Sequence, residues 1–169
     1  HRTLGGCGQS AAEFRTRGRS AEAFLRTLGL EPHHRCLEYG CGSLRVGQHL
    51  IRLLEPGGYT GVDLTDRFFL DGLELLEPGL VAHKRPVLAV ATPGVVAALR
   101  REPPDFLVSM AVLHCVDPSE VDDYLATILG LTGPQTQTVI SFREWKEPIQ
   151  MGPRSWSHSI AELADRIAR

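Results

Sequence analysis

Five short runs of β-forming residues alternate along this chain with stretches of helical period, and that alternation limits the fold more than any other feature. The runs that read as strands are residues 35–39, Tyr59–Asp63, a weaker one at 80–89, 106–110 and 138–142. Between them the period changes. Residues 44–54 place Val46, Leu50, Ile51 and Leu54 on one helical face, 66–76 follow Asp66 and stop at Pro78 and Gly79, 95–101 form a short helix, and Pro118 and Ser119 open a helix over 119–129. Two more helices flank the series. Ser20 caps a first one whose apolar face is Ala21, Phe24, Leu25 and Leu28 and which stops at Gly29. Residues 157–169 repeat apolar side chains at Ile160, Leu163, Ala164 and Ile167.

Strand and helix in strict alternation imply parallel strands joined by helical crossovers, hence an α/β fold with an open, doubly wound, mostly parallel sheet and helices on both faces. In such a sheet ligands bind at the carboxyl ends of the strands, where the strand order reverses. That rule sorts the polar residues by position. His33 and His34 precede the first strand and fall at the wrong edge, as exposed loop histidines. Residues 39–45, 63–66, 110–117 and 143–146 fall at the right one. The 169 residues are read as one domain: an N-terminal helical arm over 1–32, a ligand-binding core over 33–142 and a C-terminal loop and helix over 143–169.

Composition narrows the functions open to that domain. With 43% hydrophobic and 22% charged residues the chain has the make-up of an ordinary globular protein, and intrinsic disorder is excluded. A formal charge of -2 supplies no field to gather nucleic acid or an anionic membrane, and neither is expected as a partner. Arg15, Arg17, Arg19 and Arg26 do crowd the arm, but Glu13 and Glu22 interleave them, so they read as a solvated face. No apolar run approaches the roughly 20 residues that span a bilayer, and no signal peptide opens the sequence, so a cytoplasmic location is expected. Cys7, Cys36, Cys41 and Cys115 form no metal-ligand spacing, and no metal site or disulfide is expected.

The chemistry concentrates at Cys36-Leu37-Glu38-Tyr39-Gly40-Cys41-Gly42-Ser43, a buried strand running into a glycine turn where a ligand can approach the backbone closely. A dinucleotide would require GxGxxG, but Arg45 stands at the third glycine position. Glu38, two residues before the first glycine, repels a pyrophosphate and attracts a cation. Asp63, at the end of the second strand, is placed to accept hydrogen bonds from ribose hydroxyls. An adenosyl ligand with a positively charged amino-acid end satisfies both carboxylates, and a nicotinamide-dependent oxidoreductase is disfavoured.

These residues resemble the class I methyltransferases, which use S-adenosylmethionine and have a Rossmann-like fold. Glu38-Tyr39-Gly40-Cys41-Gly42 is similar to that family's first motif, Gly61-Val62-Asp63-Leu64 to its ribose-binding strand end, and Met110-Ala111-Val112-Leu113-His114 falls where its fourth motif lies. The resemblance covers about residues 20–142. It implies that Glu38 serves the methionine ammonium, that Gly40, Cys41 and Gly42 let the backbone close on the cofactor, that Asp63 takes the ribose and Leu64 packs on the adenine, and that Met110 and Ala111 complete the cofactor site. A side chain at Gly40 would then occupy space the cofactor needs.

The sequence departs from the family pattern in four places. Leu44 replaces a third glycine, no Asp or Asn closes the third strand at 87–91, no final antiparallel hairpin is expected, and the chain begins at His1 as a trimmed or excised module would. Of the groups that can take a proton from an acceptor, His114 is the first candidate, with Glu144 and His158 behind it. Trp145 and Trp156 are candidate walls of the acceptor pocket. The loop after the fourth strand lacks the acid/amide-Pro-Pro-aromatic tetrad that holds planar amino nitrogens, so the acceptor is expected to be a small molecule rather than a nucleobase. The alternative function is a non-catalytic module of this fold within a larger protein or assembly. Without a hairpin, residues 138–142 form an open sheet edge, expected to be covered by a further domain of a longer protein, by another chain, or by residues 143–155 folding back.

Overall fold

A computed structural model of the chain describes residues 11–16, 18–147 and 149–168. Cys7, Arg17 and the Gly-rich start lie outside the described residues. Two N-terminal helices, α1 (Ala11–Thr16) and α2 (Arg19–Thr27), lead into β1 (Cys36–Tyr39) and α3 (Gly47–Leu53). Then come β2 (Tyr59–Asp63), α4 (Asp66–Leu73), α5 (Leu80–Lys84), β3 (Val87–Val90), α6 (Pro93–Leu99) and β4 (Phe106–Ser109). After them follow α7 (Val121–Gly130), β5 (Gln137–Ile140), β6 (Ile149–Gly152), β7 (Ser155–Ser157) and α8 (Ile160–Ile167).

Strands β1 to β5 form one parallel sheet in the order β3-β2-β1-β4-β5, the doubly wound arrangement, with its reversal between β1 and β4. Each face is sealed by its own apolar cluster. Leu25, Leu50, Ile51, Leu54 and Phe69 pack one face; Leu113, Val121, Leu125, Ile128 and Leu163 pack the other. Because both faces are covered, the central strands are buried on successive positions instead of alternating, as at Cys36, Leu37 and Glu38 of β1 and at Leu107 and Val108 of β4.

The structure corrects four local expectations. The weak strand at 80–89 is a helix, α5, followed by a strand of four residues. Arg85, at φ 49°, breaks the two apart because the residue before Pro86 cannot continue a right-handed helix. The first helix is not capped by Ser20: Gly18 stands at its N-cap and supplies no side-chain bond. Residues 157 and 158 belong to β-structure, and Ser159 caps α8 by accepting the Glu162 N–H. Finally, an antiparallel hairpin does exist. β6 and β7 pair around Gly152-Pro153-Arg154, apart from the main sheet, which ends at β5 as expected.

The position of that hairpin follows from hydrogen-bond parity. Ser141 donates its N–H to Ser109 of β4, and on the same side of the chain Arg143 C=O and Trp145 N–H bond to His158. The described residues of 143–155 therefore lie beyond the end of β4 and do not extend the sheet past β5, and β7 packs on the turn at Leu113–Cys115. The outer side of β5 pairs with none of the described strands. None of the described helices is long and apolar enough to cross a membrane.

Candidate functional site

The glycine turn after β1 is tied into β2 by its backbone. Gly40 and Cys41 donate their N–H groups to Val62 O, and Gly42 donates to Asp63 Oδ2 at 2.7 Å. Making those bonds while reversing direction forces left-handed conformations at alternate residues: Gly40 (φ 82°), Gly42 (φ 51°) and Leu44 (φ 60°). Leu44 thus adopts the conformation of the glycine it replaces, at a cost of roughly 1–2 kcal/mol. Its fully buried side chain offsets that cost. A side chain on Gly40 would overlap Val112 from the loop after β4, which revises the reason for that glycine: it admits a neighbouring loop. At Gly42 a side chain would meet open space.

Two carboxylates stand beside this turn, in different environments. Glu38 on β1 is 2% exposed and accepts a hydrogen bond from the Tyr59 hydroxyl at 2.6 Å. Burial pushes its carboxyl up to about 8; the Tyr59 bond and the Arg45 charge oppose the rise, and Asp63 adds to it. Asp63 is half-buried at the tip of β2. Burial raises its pKa too, but the N–H groups of Gly42 and Leu64, the latter at 2.8 Å from Oδ1, pull it back and fix the carboxylate plane. The half-buried carboxylate stays open to the cleft. Leu64, next along, is 82% exposed on the rim.

The opposite wall comes from β4. Ser109 at its end donates to Tyr39 O and accepts from Tyr124 of α7, both at 2.7 Å, which ties β1, β4 and α7 together under the site. Beyond it Ala111 (φ 58°) is left-handed, its N–H held by Ser141 Oγ at 2.7 Å. This strained residue faces the strained turn across the cleft, where such conformations concentrate in functional sites. His114 follows in a 3₁₀ turn, half-buried; burial lowers its pKa, and the charges of Arg143 and Arg45 lower it further. A neutral imidazole has an acceptor nitrogen, so the group is ready to take a proton near pH 7.

These walls enclose a cleft of about 440 Å³ at the carboxyl edge of the sheet. Nine of the sequence-predicted site residues line it: Glu38, Gly40, Cys41, Gly42, Asp63, Leu64, Met110, Ala111 and His114. Glu144, Trp145, Trp156 and His158 do not. The expected acceptor walls at Trp145 and Trp156 are therefore corrected: hairpin and strand extension carry them past the end of β4, and Trp145 is 56% exposed. His158 is fully buried against Glu162 of α8, 3.6 Å away. Sequence reasoning placed Arg45 at the ligand edge without a role in the site and missed Phe68, Tyr124 and Thr127, all of which line the cleft. Tyr124 and Thr127 carried a legible signal, being on one face of the helix that follows β4.

No family model and no curated protein matches the chain. Solved structures do. Magnesium protoporphyrin IX methyltransferase (ChlM) from Synechocystis PCC 6803, with bound SAH, is 16% identical at a TM-score of 0.69, over 96% of this chain and 78% of that one. The glycopeptide N-methyltransferase MtfA, complexed with S-adenosyl-L-methionine, is 14% identical at 0.69, over 100% and 87%. TehB from Haemophilus influenzae is 17% identical at 0.65, over 94% of this chain and 53% of that one. The shared feature is the fold, the Rossmann-like fold of class I methyltransferases, as the sequence motifs imply.

Proposed function

We propose that the chain is an S-adenosylmethionine-dependent methyltransferase acting on a small-molecule acceptor. The observation that carries this reading is the pairing of Glu38 and Asp63 on adjacent strand ends, either side of one glycine turn, in the same cleft as His114. The donor set fits the cofactor. Asp63, held by backbone N–H groups, presents its carboxylate where ribose hydroxyls would lie, and Glu38 offers a carboxylate to an ammonium. Leu64, Met110 and Ala111 supply apolar surface for the adenine and thioether portions. Gly42 leaves its Cβ direction open for close approach.

The cofactor supplies an electrophilic methyl group on a sulfonium. The chain's task is alignment, exclusion of water and removal of the acceptor's proton. His114, kept neutral by burial and two nearby guanidinium groups, takes that proton from an acceptor hydroxyl or amine as the acceptor atom attacks. In this reading the structural partition is an N-terminal helical arm, a cofactor-binding core and a C-terminal unit that borders the acceptor side. Titration calorimetry with S-adenosylhomocysteine, with NAD as the comparison ligand, tests it directly. Binding of the first and not the second is expected, and the reverse preference would overturn the assignment.

A further inference from the structure

Glu38 is surrounded in a way that simple cofactor contact does not require. Among the described residues the side-chain bond reaching its carboxylate comes from a neutral phenol, Tyr59, and no Lys, Arg or His lies within ion-pair distance of it. The phenol is itself buried, at 2% exposure, and it reaches Glu38 through space that two glycines leave free. A Cβ on Gly47 of α3 would collide with Tyr59 Oη and stand 3.0 Å from Glu38 Oε2; one on Gly61 of β2 would stand 2.8 Å from Tyr59 Oη. The fold thus reserves a buried space under the turn for an acid and a hydroxyl, with Glu38 on the lining of the cleft.

The titratable groups around this pair give the carboxylate little support. From β2 come Tyr59 and the Asp63 carboxylate, which repels it; from β1 and the turn come the thiols of Cys36 and Cys41, both held un-ionised by burial. α3 presents Gly47 at this point, and β4 contributes the apolar Val108. Arg45 is the cation whose charge reaches Glu38, without forming an ion pair with it.

We propose that Glu38 and Tyr59 act as a proton-coupled cofactor sensor: in the protein alone Glu38 is a neutral acid at pH 7, and the cationic amino-acid end of the cofactor binds with release of that proton to solvent. The inference rests on the cofactor reading above and goes beyond it. Tyr59 is a positioning residue in this device. Its hydroxyl donates to the ionised form and keeps the proton within reach of physiological pH. The direction of the Glu38 shift, upward with burial as the leading cause, agrees with the geometry. No bond other than the carboxyl O–H breaks, and the proton passes to water or buffer.

The test is calorimetric titration with S-adenosylhomocysteine between pH 6 and 8 in buffers of differing ionisation enthalpy, which counts protons exchanged. Close to one proton released per ligand at pH 7 is expected, with affinity rising up to about tenfold per pH unit toward pH 8. Glu38→Gln abolishes the release. Tyr59→Phe moves the pH dependence to higher pH, so its affinity deficit shrinks as pH rises; a purely structural tyrosine would lower affinity by the same factor throughout. His114→Asn leaves the proton count unchanged, which excludes His114 as the source. Binding without proton exchange, or release that persists in Glu38→Gln, overturns this inference alone. Absence of binding at every pH overturns the cofactor reading together with it.

Discussion

The two walls of the cleft are built by different means. On the β1/β2 side the backbone does the work: Gly40, Cys41 and Gly42 all spend their N–H groups on β2, and the turn rests on the fully buried Leu44. On the β4/β5 side the wall is a 3₁₀ turn buttressed by a separate hairpin, which exposes Ile149 and Met151. Among the described residues, both nitrogens of the buried His158 there lack a hydrogen-bond partner, as does Glu162 Oε2. One wall is part of the sheet and the other is hung on it. A backbone-built wall tolerates few changes of shape, whereas one built from a loop and a hairpin can change its side chains without disturbing the sheet. The proposed function assigns the first to the cofactor, with Met110 and Ala111 after β4 completing its site, and the rest of the second to the acceptor.

Mutations separate the two walls, and the largest effect is expected at His114. His114→Ala should lower turnover by about 100- to 10,000-fold while S-adenosylhomocysteine affinity stays nearly constant, measured by kcat against calorimetry. Equal losses in both would place His114 in binding and erase the division. Next comes Glu38. Its folded pKa of about 8 lies above the ordinary carboxylate value of about 4.3, so the folded state holds the proton more tightly. The resulting stability is fully present below about pH 4.3 and is lost as pH rises to about 8, by on the order of a few kcal/mol. Denaturant titrations at pH 5 and pH 8 should show that loss in the natural sequence and a much flatter profile in Glu38→Gln.

Gly40→Val joins the walls in one substitution. It combines a left-handed φ with overlap on Val112, and should cost about 2–5 kcal/mol of folding stability in denaturant titration. Adding Val112→Ala should recover the steric part and leave the conformational part. Asp63→Ala should weaken cofactor binding by about 1.5–3 kcal/mol. Asp63→Asn, which retains one acceptor oxygen for the turn, should fold better than the alanine variant yet still bind weakly. The smallest effect belongs to Ala111. Replacing it with glycine relieves a left-handed alanine and should raise stability by roughly 0.5–1 kcal/mol, read as a small rise in Tm.

Much of the site could be read in advance because its signals are local. Glu38, Gly40, Gly42 and Asp63 sit at strand ends, and a short β-forming run broken by glycine announces its own end. The parallel order of the sheet was legible for the same reason. The misreadings came where local preference and tertiary context compete. Residues 80–84 carry apolar side chains acceptable to either strand or helix, and Lys84 joins the choice through its Nζ bond to Leu54 O, 30 residues away. The hairpin was hidden because the alternation Ile149-Gln150-Met151 is shorter than the four to eight residues that mark a strand, and its pairing with residues 155–157 depends on the turn between them. Trp145 and Trp156 read as walls because an aromatic residue near the right edge of a sheet looks alike whether it points into a cleft or away from it.

What the sequence determined by itself is the set of elements and the edge at which they converge: hydrophobic period and glycine placement are properties of neighbours in the chain, so they survive without knowledge of the fold. What the tertiary structure decided is the state of each group at that edge. Glu38 becomes a buried acid because Gly47 and Gly61, on two other elements, let Tyr59 reach it. Gly40 is required by Val112, and Asp63 is oriented by Gly42. Desolvation, overlap and charge depend on distances through space, and residues 21 or 72 positions apart acquire such distances only when the sheet brings their strands together.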